Sequence, residues 1–255
     1  MSRQEVIWLR MIHVIFGTMM IAAGTAALNH YLERELDGQM RRTAGRPLPA
    51  GLLTPFEALG FGVVLCAAGA ADLYFVAGYL ACLLGVITSA SYLLAYTPLK
   101  TRTVWATFVG AFPGAIPPMI GWAAAAGHLG AGAWALFAIL FVWQFPHFHA
   151  IAWMYREDYA RAGILMLPVV DKDGTRTFRQ IILYAAGLVP VSLLPTLLGM
   201  TGVLYFLGAL VTCMASMQFC LWAAATKSNA RAKWLMHVTV IHIPVLLGLM
   251  MWDKK

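Results

Sequence analysis

Charged residues are scarce in this chain of 255 residues: 11% are Asp, Glu, Lys or Arg, whereas 61% are hydrophobic. Because soluble globular domains carry about 25% charged residues, this composition excludes a soluble globular protein. The mean hydropathy of +0.74 is typical of a polytopic membrane protein. No stretch alternates apolar and polar residues as the strands of a membrane barrel do. The sequence therefore predicts an all-α, polytopic transmembrane helical bundle.

The four cysteines lack the surroundings that would give them a chemical role. Cys66, Cys82, Cys213 and Cys220 lie inside apolar runs and have no metal-ligating residues beside them in the sequence. Cysteines in such runs behave as small buried hydrophobic residues. The sequence therefore predicts neither a zinc site nor a disulfide framework.

Eight apolar segments are candidate membrane spans. The first lacks a small-residue cleavage site, so we expect it to stay in the protein rather than be removed as a signal peptide. Three prolines, Pro113, Pro117 and Pro118, predict that the fourth span is broken, either lining a cavity or forming a packing kink. The predicted spans are residues 6–28, 56–71, 73–95, 104–125, 131–153, 181–198, 203–225 and 234–252.

Basic residues are concentrated in every second loop. The loops after spans one, three, five and seven hold 14 of the 18 Lys and Arg residues, while the turns near Asp72, Gly127 and Gly199 hold none. By the positive-inside rule, those four loops face the cytoplasm and the amino terminus lies outside. The formal net charge of +7 is therefore mainly a topology signal, and not an indication of nucleic-acid binding.

The stretch NHYLERELDGQMRRTAGRPLP, residues 29–49, follows the first span and combines acids with arginines. If the helix continues through it, Asn29, Glu33 and Asp37 share one face. An ionised side chain in hydrocarbon costs several kcal/mol unless it is paired, hydrated or bound to a metal. Oxygen ligands in a row suit Mg²⁺, and arginines suit an anion that the metal also contacts. The nearby arginines are Arg34, Arg41, Arg42 and Arg46.

A plainer interpretation is an ordinary charged cytoplasmic loop that anchors topology, but this leaves the helical spacing of the acids unexplained. A second acidic region, residues 155–179, also follows an apolar helix. If that helix continues past Trp153, Asp158 shares a face with His147, and Glu157 lies near the face of His149. The alternative for Asp158 is an intrahelical pair with Arg161.

We interpret Asp171 and Asp173, in the sequence DKDG, as residues of an ordinary turn.

The first motif and the second acidic region resemble those of the UbiA-type intramembrane prenyltransferases, in the branch that farnesylates haem. The resemblance covers about residues 24–184. Its first motif is Asn29, Glu33, Asp37, Met40, Arg42, Thr43, Arg46, Pro47 and Leu48. Further matches are Tyr96, Lys100, Pro117, Pro118, Trp143, Gln144, Pro146, His147, Asp158, Tyr159, Ala162 and Gly163.

The resemblance implies transfer of farnesyl from farnesyl pyrophosphate to a vinyl group of protohaem IX (haem B), followed by addition of water to give haem O. It implies Mg²⁺ as the cofactor, a lipid bilayer as the environment, the inner membrane as the location, and haem A synthase or haem–copper oxidase assembly as downstream partners. The implied metal ligands are Asn29, Glu33, Asp37 and Asp158. The implied phosphate-binding residues are Arg42, Arg46, Lys100 and Arg102, with Asn29 also in contact with substrate. The implied catalytic residues are Asp37, Asp158, Lys100 and His147, the last approaching the porphyrin or assisting proton transfer.

The chain departs from the family pattern in three respects. Glu33 and Glu35 stand where the family usually has Asp, which lengthens each arm by a methylene, and Leu165 stands where Pro is common. The family is expected to have nine spans, with two before the first motif. We therefore expect this chain to form a single prenyltransferase domain over residues 1–255 that lacks the first family helix.

Two other functions are compatible with parts of the sequence. A sister prenyltransferase acting on an aromatic ring such as 4-hydroxybenzoate would share the first motif, but we would not expect WQFPH and DYxxAG together in it. A secondary transporter would place charges in mid-span and repeat its broken helices in both halves of the chain. Here the acids cluster at helix ends beside arginines, and no such repeat is evident.

Overall fold

The structure is a computed structural model that describes residues 8–255. Within that range every regular secondary-structure element is helical, and there are no β-strands. Among residues 8–255, eight helical segments are long and apolar enough to cross a membrane, which confirms the predicted eight-span, all-α fold. The predicted start of the first span at Val6 lies outside the described residues. The helices are α1 (Trp8–Gln39), α2 (Pro55–Asp72), α3 (Tyr79–Ser91), α4 (Thr97–Leu99), α5 (Ala106–Ala115), α6 (Pro117–Ala126), α7 (Ala131–Met154), α8 (Arg156–Arg161), α9 (Leu167–Val170), α10 (Thr175–Leu197), α11 (Val203–Thr226) and α12 (Asn229–Trp252). Two π-helical turns, Leu73–Ala77 and Tyr92–Tyr96, extend α2 and join α3 to α4.

The chain forms two compact units. Within the described residues, the amino-terminal unit consists of residues 8–129 together with Glu157–Leu165, and the carboxy-terminal unit contains Gly130–Arg156 and Met166–Lys255. In the amino-terminal unit, α1 packs along α2, and α3 packs against α6. In the carboxy-terminal unit, α7 contacts α10 and α12, while α11 contacts the same two helices.

Small residues let α1 and α2 approach each other closely. A Cβ atom added at Gly24 would lie 2.7 Å from the carbonyl oxygen of Gly62, and one added at Gly69 would lie 2.6 Å from that of Gly17. Helices in membranes commonly associate through such small residues, which bring the backbones together. This packing fixes α1, and with it the acidic motif at the end of α1.

The turn between the second and third spans lies later than predicted. The sequence predicts it near Asp72, but the chain stays helical there and turns at Gly78, whose φ of 99° suits glycine. His13 Nδ1 lies 2.7 Å from Asp72 Oδ1. Because this contact from α1 gives the carboxylate a partner, Asp72 can remain inside the helix rather than mark its end.

The sixth span begins at Thr175, six residues before its predicted start. Asp171 Oδ2 accepts hydrogen bonds from Thr177 N at 2.7 Å and from Thr177 Oγ1 at 2.8 Å. A carboxylate that accepts from the first-turn N–H groups stabilises the start of a helix. Asp171 therefore belongs to a turn, as predicted, and also caps α10.

Asp173, in the same turn, is exposed and accepts hydrogen bonds from the hydroxyl and the backbone N–H of Thr175. These hydrogen bonds lower the pKa of Asp173 below its ordinary value, and the bond from the Thr175 hydroxyl contributes more than the bond from the Thr175 N–H. Lys227 donates to the Asp173 carbonyl oxygen at 2.8 Å. Asp173 thus has a local role in the turn.

The fourth span is broken, as its prolines predict. Helix α5 ends at Ala115, and α6 begins at Pro117 with proline in its first turn. Proline lacks the N–H that would continue the hydrogen-bond ladder, so the helix restarts there. That this break lines a cavity stays a prediction.

The fifth span does not continue past Trp153 as far as the sequence argument required. Helix α7 ends at Met154, Tyr155 leaves the helical region with φ −108° and ψ 19°, and a separate helix starts at Arg156. The prediction that His147 and Asp158 share a helix face, and His149 and Glu157 another, is therefore wrong. Residues on the two sides of the break do not lie on one continuous helix.

Candidate functional site

Helix α1 continues through the first acidic motif to Gln39, as predicted. The side chains of Asn29, Glu33 and Asp37 follow one another at four-residue intervals on one face. All three are buried, with residue exposures of 7%, 6% and 1%. The face therefore points into the amino-terminal unit, and its carboxylates need partners there.

Glu33 is paired with Lys100, which follows α4. The Lys100 Nζ lies 2.8 Å from Glu33 Oε1 and 2.9 Å from Oε2. Asn29 Nδ2 donates a hydrogen bond to Glu33 Oε2 at 2.8 Å, and Thr97 Oγ1 donates to Asn29 Oδ1 at 2.8 Å. Although it lies near the ammonium, Glu33 Oε1 accepts no well-directed hydrogen bond. One carboxylate oxygen of the pair can therefore accept a further ligand.

Aromatic rings also hold Lys100 in place. Its Nζ lies 4.5 Å from the centroid of the Tyr96 ring and 5.7 Å from that of Tyr92. An ammonium over an aromatic face is attracted by the ring quadrupole. Tyr96 and Lys100, which both match the family pattern, are therefore in contact, and the π-helical turn at residues 92–96 supplies both rings.

Asp37 is the most deeply buried acid of the motif, and its partner comes from the following turn. Arg46 Nη1 lies 2.7 Å from Asp37 Oδ2, and the Arg46 side chain is 30% exposed. Thr43 Oγ1 donates to the Asp37 carbonyl oxygen at 2.8 Å, closing the end of α1. The turn after α1 thus folds back over the acid and presents an arginine beside it.

Asp158, in α8, belongs to the same unit. Its Oδ2 lies 3.4 Å from the backbone nitrogen of Arg42, five residues after Asp37. Arg161 Nη2 donates to Asp158 Oδ1 at 2.5 Å, which is the intrahelical pair that the sequence offered as an alternative. The Arg42 guanidinium carbon lies 6.0 Å from the Tyr159 ring centroid. The structure therefore brings the two acidic segments into contact.

A backbone hydrogen bond adds to this connection. Leu165 N donates to the Lys100 carbonyl oxygen at 2.7 Å. A proline at position 165, as is common in the family pattern, would have no N–H to donate. The departure at Leu165 therefore creates a contact that holds the chain after α8 against the Lys100 backbone.

The donor set can be compared with the needs of Mg²⁺. No three His, Cys, Asp or Glu side chains among residues 8–255 form a group that could hold a metal ion by themselves. The oxygens of Asn29, Glu33 and Asp37 are hard ligands, and Glu33 Oε1 has an unused acceptor position. Because Mg²⁺ usually takes one or two carboxylates and completes its shell with water and phosphate, the chemistry of these donors fits Mg²⁺.

The remaining predicted residues have different surroundings. Arg41, Arg42 and Arg102 are exposed in the segments that follow α1 and α4. In the carboxy-terminal unit, His147 Nδ1 lies 2.9 Å from Thr239 Oγ1, and His149 Nε2 lies 2.9 Å from Gln180 Oε1. The phosphate-binding role of the arginines and the catalytic role of His147 stay predictions.

Sequence reasoning missed Thr97 and Thr239, and it named Thr43 only as a match to the family motif, without its contact. Thr97 orients Asn29, Thr43 closes α1, and Thr239 contacts His147. Thr97 lies three residues before Lys100, so its place within YTPLK could have indicated a shared helical face. Thr239 stands in an apolar helix next to two histidine-containing turns, a weaker signal for the same kind of contact.

Buried acids, cations and exposed arginines at the ends of apolar helices define a multi-pass membrane protein with a polar site suited to an anion and a divalent cation. The chain belongs to the UbiA prenyltransferase family, whose sequence profile matches residues 1–242. The predicted family and the predicted prenyltransferase class are therefore confirmed.

Two relatives are similar along most of their length. The chain is 54% identical over 246 residues to "Protoheme IX farnesyltransferase" of Solibacter usitatus, an alignment that covers 96% of this chain and 84% of the relative. It is 46% identical over 253 residues to the protein of the same name in Koribacter versatilis, covering 95% of this chain and 80% of the relative.

Solved structures share the fold at low sequence identity. A digeranylgeranylglyceryl phosphate synthase structure matches with a TM-score of 0.78 at 19% identity, covering 98% of this chain and 87% of that chain. An apo UbiA homologue from Aeropyrum pernix K1 has a TM-score of 0.74 at 18% identity, with coverages of 98% and 91%. A UbiA homologue from Archaeoglobus fulgidus, bound to GPP and Mg²⁺, has a TM-score of 0.56 at 14% identity, with coverages of 93% and 87%.

Proposed function

We propose that this protein transfers the farnesyl group of farnesyl pyrophosphate to a vinyl group of protohaem IX (haem B), so that addition of water gives haem O. The names of the relatives at 54% and 46% identity support this substrate pair. The observation that carries the chemistry is the buried face of Asn29, Glu33 and Asp37, which lies beside Lys100 and Arg46.

In this proposal the pyrophosphate binds at the end of α1. Lys100 and Arg46 lie against the acids of the motif, so their charges are already positioned by Glu33 and Asp37. Together with Arg42 and Arg102 they contact phosphate oxygens, as guanidinium and ammonium groups do. Cations fixed beside the leaving group favour breaking of the allylic C–O bond, because negative charge grows on that oxygen.

Mg²⁺ is the proposed cofactor, and Asn29, Glu33, Asp37 and Asp158 are its proposed ligands from the protein. When bound, the ion supplies further positive charge to the departing pyrophosphate. The UbiA homologue from Archaeoglobus fulgidus bound to GPP and Mg²⁺ supports this choice of ion. The hard oxygen donors of the motif and the unused acceptor position of Glu33 support it independently.

The acceptor half of the reaction joins the vinyl carbon of haem to the farnesyl carbon as pyrophosphate departs. Water then adds to the resulting cation and loses one proton, so that the products are haem O, pyrophosphate and a proton. His147, in α7, is the proposed residue on the haem side. The concentration of basic residues in alternate loops supports a cytoplasmic position for this chemistry. The proposed location is the inner membrane, and the product would pass to haem A synthase or haem–copper oxidase assembly.

The test uses purified protein with farnesyl pyrophosphate, Mg²⁺ and haem B, and resolves the haem products by chromatography and mass. We expect Asp37→Ala and Asp158→Ala to lose haem O formation, since each removes a proposed metal ligand. Asp173→Ala is the matched control, because this acid lies in an exposed turn, and it should keep activity. Full activity in Asp37→Ala or Asp158→Ala would remove that residue from the mechanism.

The same assay offers 4-hydroxybenzoate as an alternative acceptor. We expect farnesylated haem and no farnesylated benzoate. Prenylation of 4-hydroxybenzoate with haem B left unchanged would replace the proposed acceptor while keeping the prenyltransferase chemistry.

A further inference from the structure

A chain of hydrogen bonds connects α7 to α12 within the carboxy-terminal unit. Thr239 Oγ1 lies 2.7 Å from the Met236 carbonyl oxygen and 2.9 Å from His147 Nδ1. The Thr239 residue is 3% exposed, so water does not readily replace either contact. The hydroxyl has one hydrogen to share between these two neighbours.

The distances decide where that hydrogen lies. Two oxygens 2.7 Å apart with no hydrogen between them repel, so the Thr239 hydroxyl donates to the Met236 carbonyl oxygen. Thr239 Oγ1 is then an acceptor toward His147, which requires the imidazole to carry its hydrogen on Nδ1. In a neutral imidazole the other nitrogen, Nε2, consequently bears a lone pair.

A tryptophan fixes the plane of the same ring. The Trp143 and His147 rings are stacked, with centroids 5.1 Å apart and planes 14° apart. Trp143 Nε1 donates to the Thr239 carbonyl oxygen at 2.8 Å. Thr239 therefore contacts both the imidazole and the ring that stacks on it, through its hydroxyl and its backbone.

We propose that Thr239 is a positioning residue that holds His147 in the Nδ1–H form, so that Nε2 serves as the nitrogen ligand of the haem iron. A neutral imidazole whose second nitrogen donates to an oxygen is the usual arrangement of a metal-binding histidine. The identity of the ligand rests on the proposed function, in which haem B is the acceptor. The position of the imidazole hydrogen follows from the contacts of Thr239 and does not depend on the proposed function.

The first test needs no haem. Nitrogen NMR of protein labelled in histidine reports which ring nitrogen is protonated, and the signal that disappears in His147→Ala identifies the residue. We expect the Nδ1–H form in the unaltered protein and in Thr239→Ser, which keeps the hydroxyl. Thr239→Val keeps the shape without the hydroxyl and should give a mixture of both forms. A dominant Nε2–H form in the unaltered protein would overturn the proposal.

The second test adds haem B and records its optical and electron paramagnetic resonance spectra. We expect a nitrogen-ligated iron that is lost in His147→Ala and restored by added imidazole. Removing a residue that orients a metal ligand commonly weakens binding by about 10- to 100-fold. We expect a loss of that size in Thr239→Val and none in Thr239→Ser. His237→Ala, which removes an exposed histidine of the same helix α12, should leave the spectra unchanged.

The outcomes separate the two proposals. If His147→Ala retains the nitrogen-ligated spectrum while the protein still makes haem O, the ligand assignment is wrong and the proposed function stands. If the unaltered protein neither binds haem B nor converts it, both are wrong. If Thr239→Val behaves as the unaltered protein in both spectra, Thr239 has no positioning role.

Discussion

The two units of this protein treat buried polar groups differently. In the amino-terminal unit, the buried acids Glu33 and Asp37 are paired with Lys100 and Arg46. Inside the helices of the carboxy-terminal unit, the buried polar side chains are neutral; they are Gln144, Thr177, Ser192, Ser216, Thr239 and the histidines His149 and His242. Charges withdrawn from water need partners, whereas neutral groups can be satisfied by one another and by backbone carbonyls. Paired buried charges suit the binding of a charged ligand, whereas neutral hydrogen-bonding groups suit the orientation of an uncharged ring such as an imidazole.

The largest effect should follow from removing charge in the amino-terminal unit. Glu33→Gln keeps the side-chain shape but leaves Lys100 without a counter-charge and removes a proposed metal ligand. We expect haem O formation to fall on the order of 100-fold or more, the range seen when a group that stabilises transition-state charge is lost.

The matched control for this change is Glu35→Gln. Glu35 lies on the same helix, and its side chain is 84% exposed. Its ion pair is with Arg34, whose Nη2 lies 3.6 Å from Glu35 Oε1. Initial rates with saturating haem B should distinguish the two variants. Equal rates in Glu33→Gln and Glu35→Gln would mean that the buried charge has no special role.

Part of this site could be predicted from the sequence because its signals are local. Apolar length gives the eight spans, and the four-residue spacing gives the shared face of Asn29, Glu33 and Asp37. The second acidic region indicated Asp158, and the resemblance to a family supplied Lys100 and the metal-binding role of Asp158. The predicted prenyltransferase class followed from those residues and is confirmed by the family match.

The errors arise where distant contacts or backbone geometry decide. Asp72 suggested a turn, but its contact with His13, 59 residues away, lets the helix continue. The end of α7 depends on the conformation of Tyr155, which no nearby proline or glycine announces. The contact of Thr239 with His147 spans 92 residues and leaves no local pattern.

A smaller effect should appear in stability. Lys100→Met removes the partner of a carboxylate whose side chain is 8% exposed. Breaking a buried ion pair from one side commonly costs about 3–5 kcal/mol, so we expect a clear loss of thermal stability in detergent. Combining Lys100→Met with Glu33→Gln should recover part of that loss, since the second change removes the unpaired charge. A double variant as unstable as the sum of the single variants would show that the pair is not coupled.

The smallest effect concerns the contact between Leu165 and Lys100. Leu165→Pro removes the N–H that donates to the Lys100 carbonyl oxygen, a hydrogen bond worth about 1 kcal/mol. We expect a several-fold rise in KM for farnesyl pyrophosphate with little change in kcat, because Lys100 is less well held. Leu165→Ala keeps the N–H and should behave as the unaltered protein. The same KM in the proline and alanine variants would dismiss this contact as a positioning feature.

The central claim is that acids and cations of the amino-terminal unit act together with Mg²⁺ on the pyrophosphate. Its most direct test is the rate of pyrophosphate release from farnesyl pyrophosphate in the presence of haem B, measured with Mg²⁺ and after chelation. We predict that chelation stops release by the unaltered protein and that Asp37→Asn with Mg²⁺ is equally slow while still binding haem B. Release at the unaltered rate by Asp37→Asn, or by the unaltered protein without divalent metal, would contradict the account.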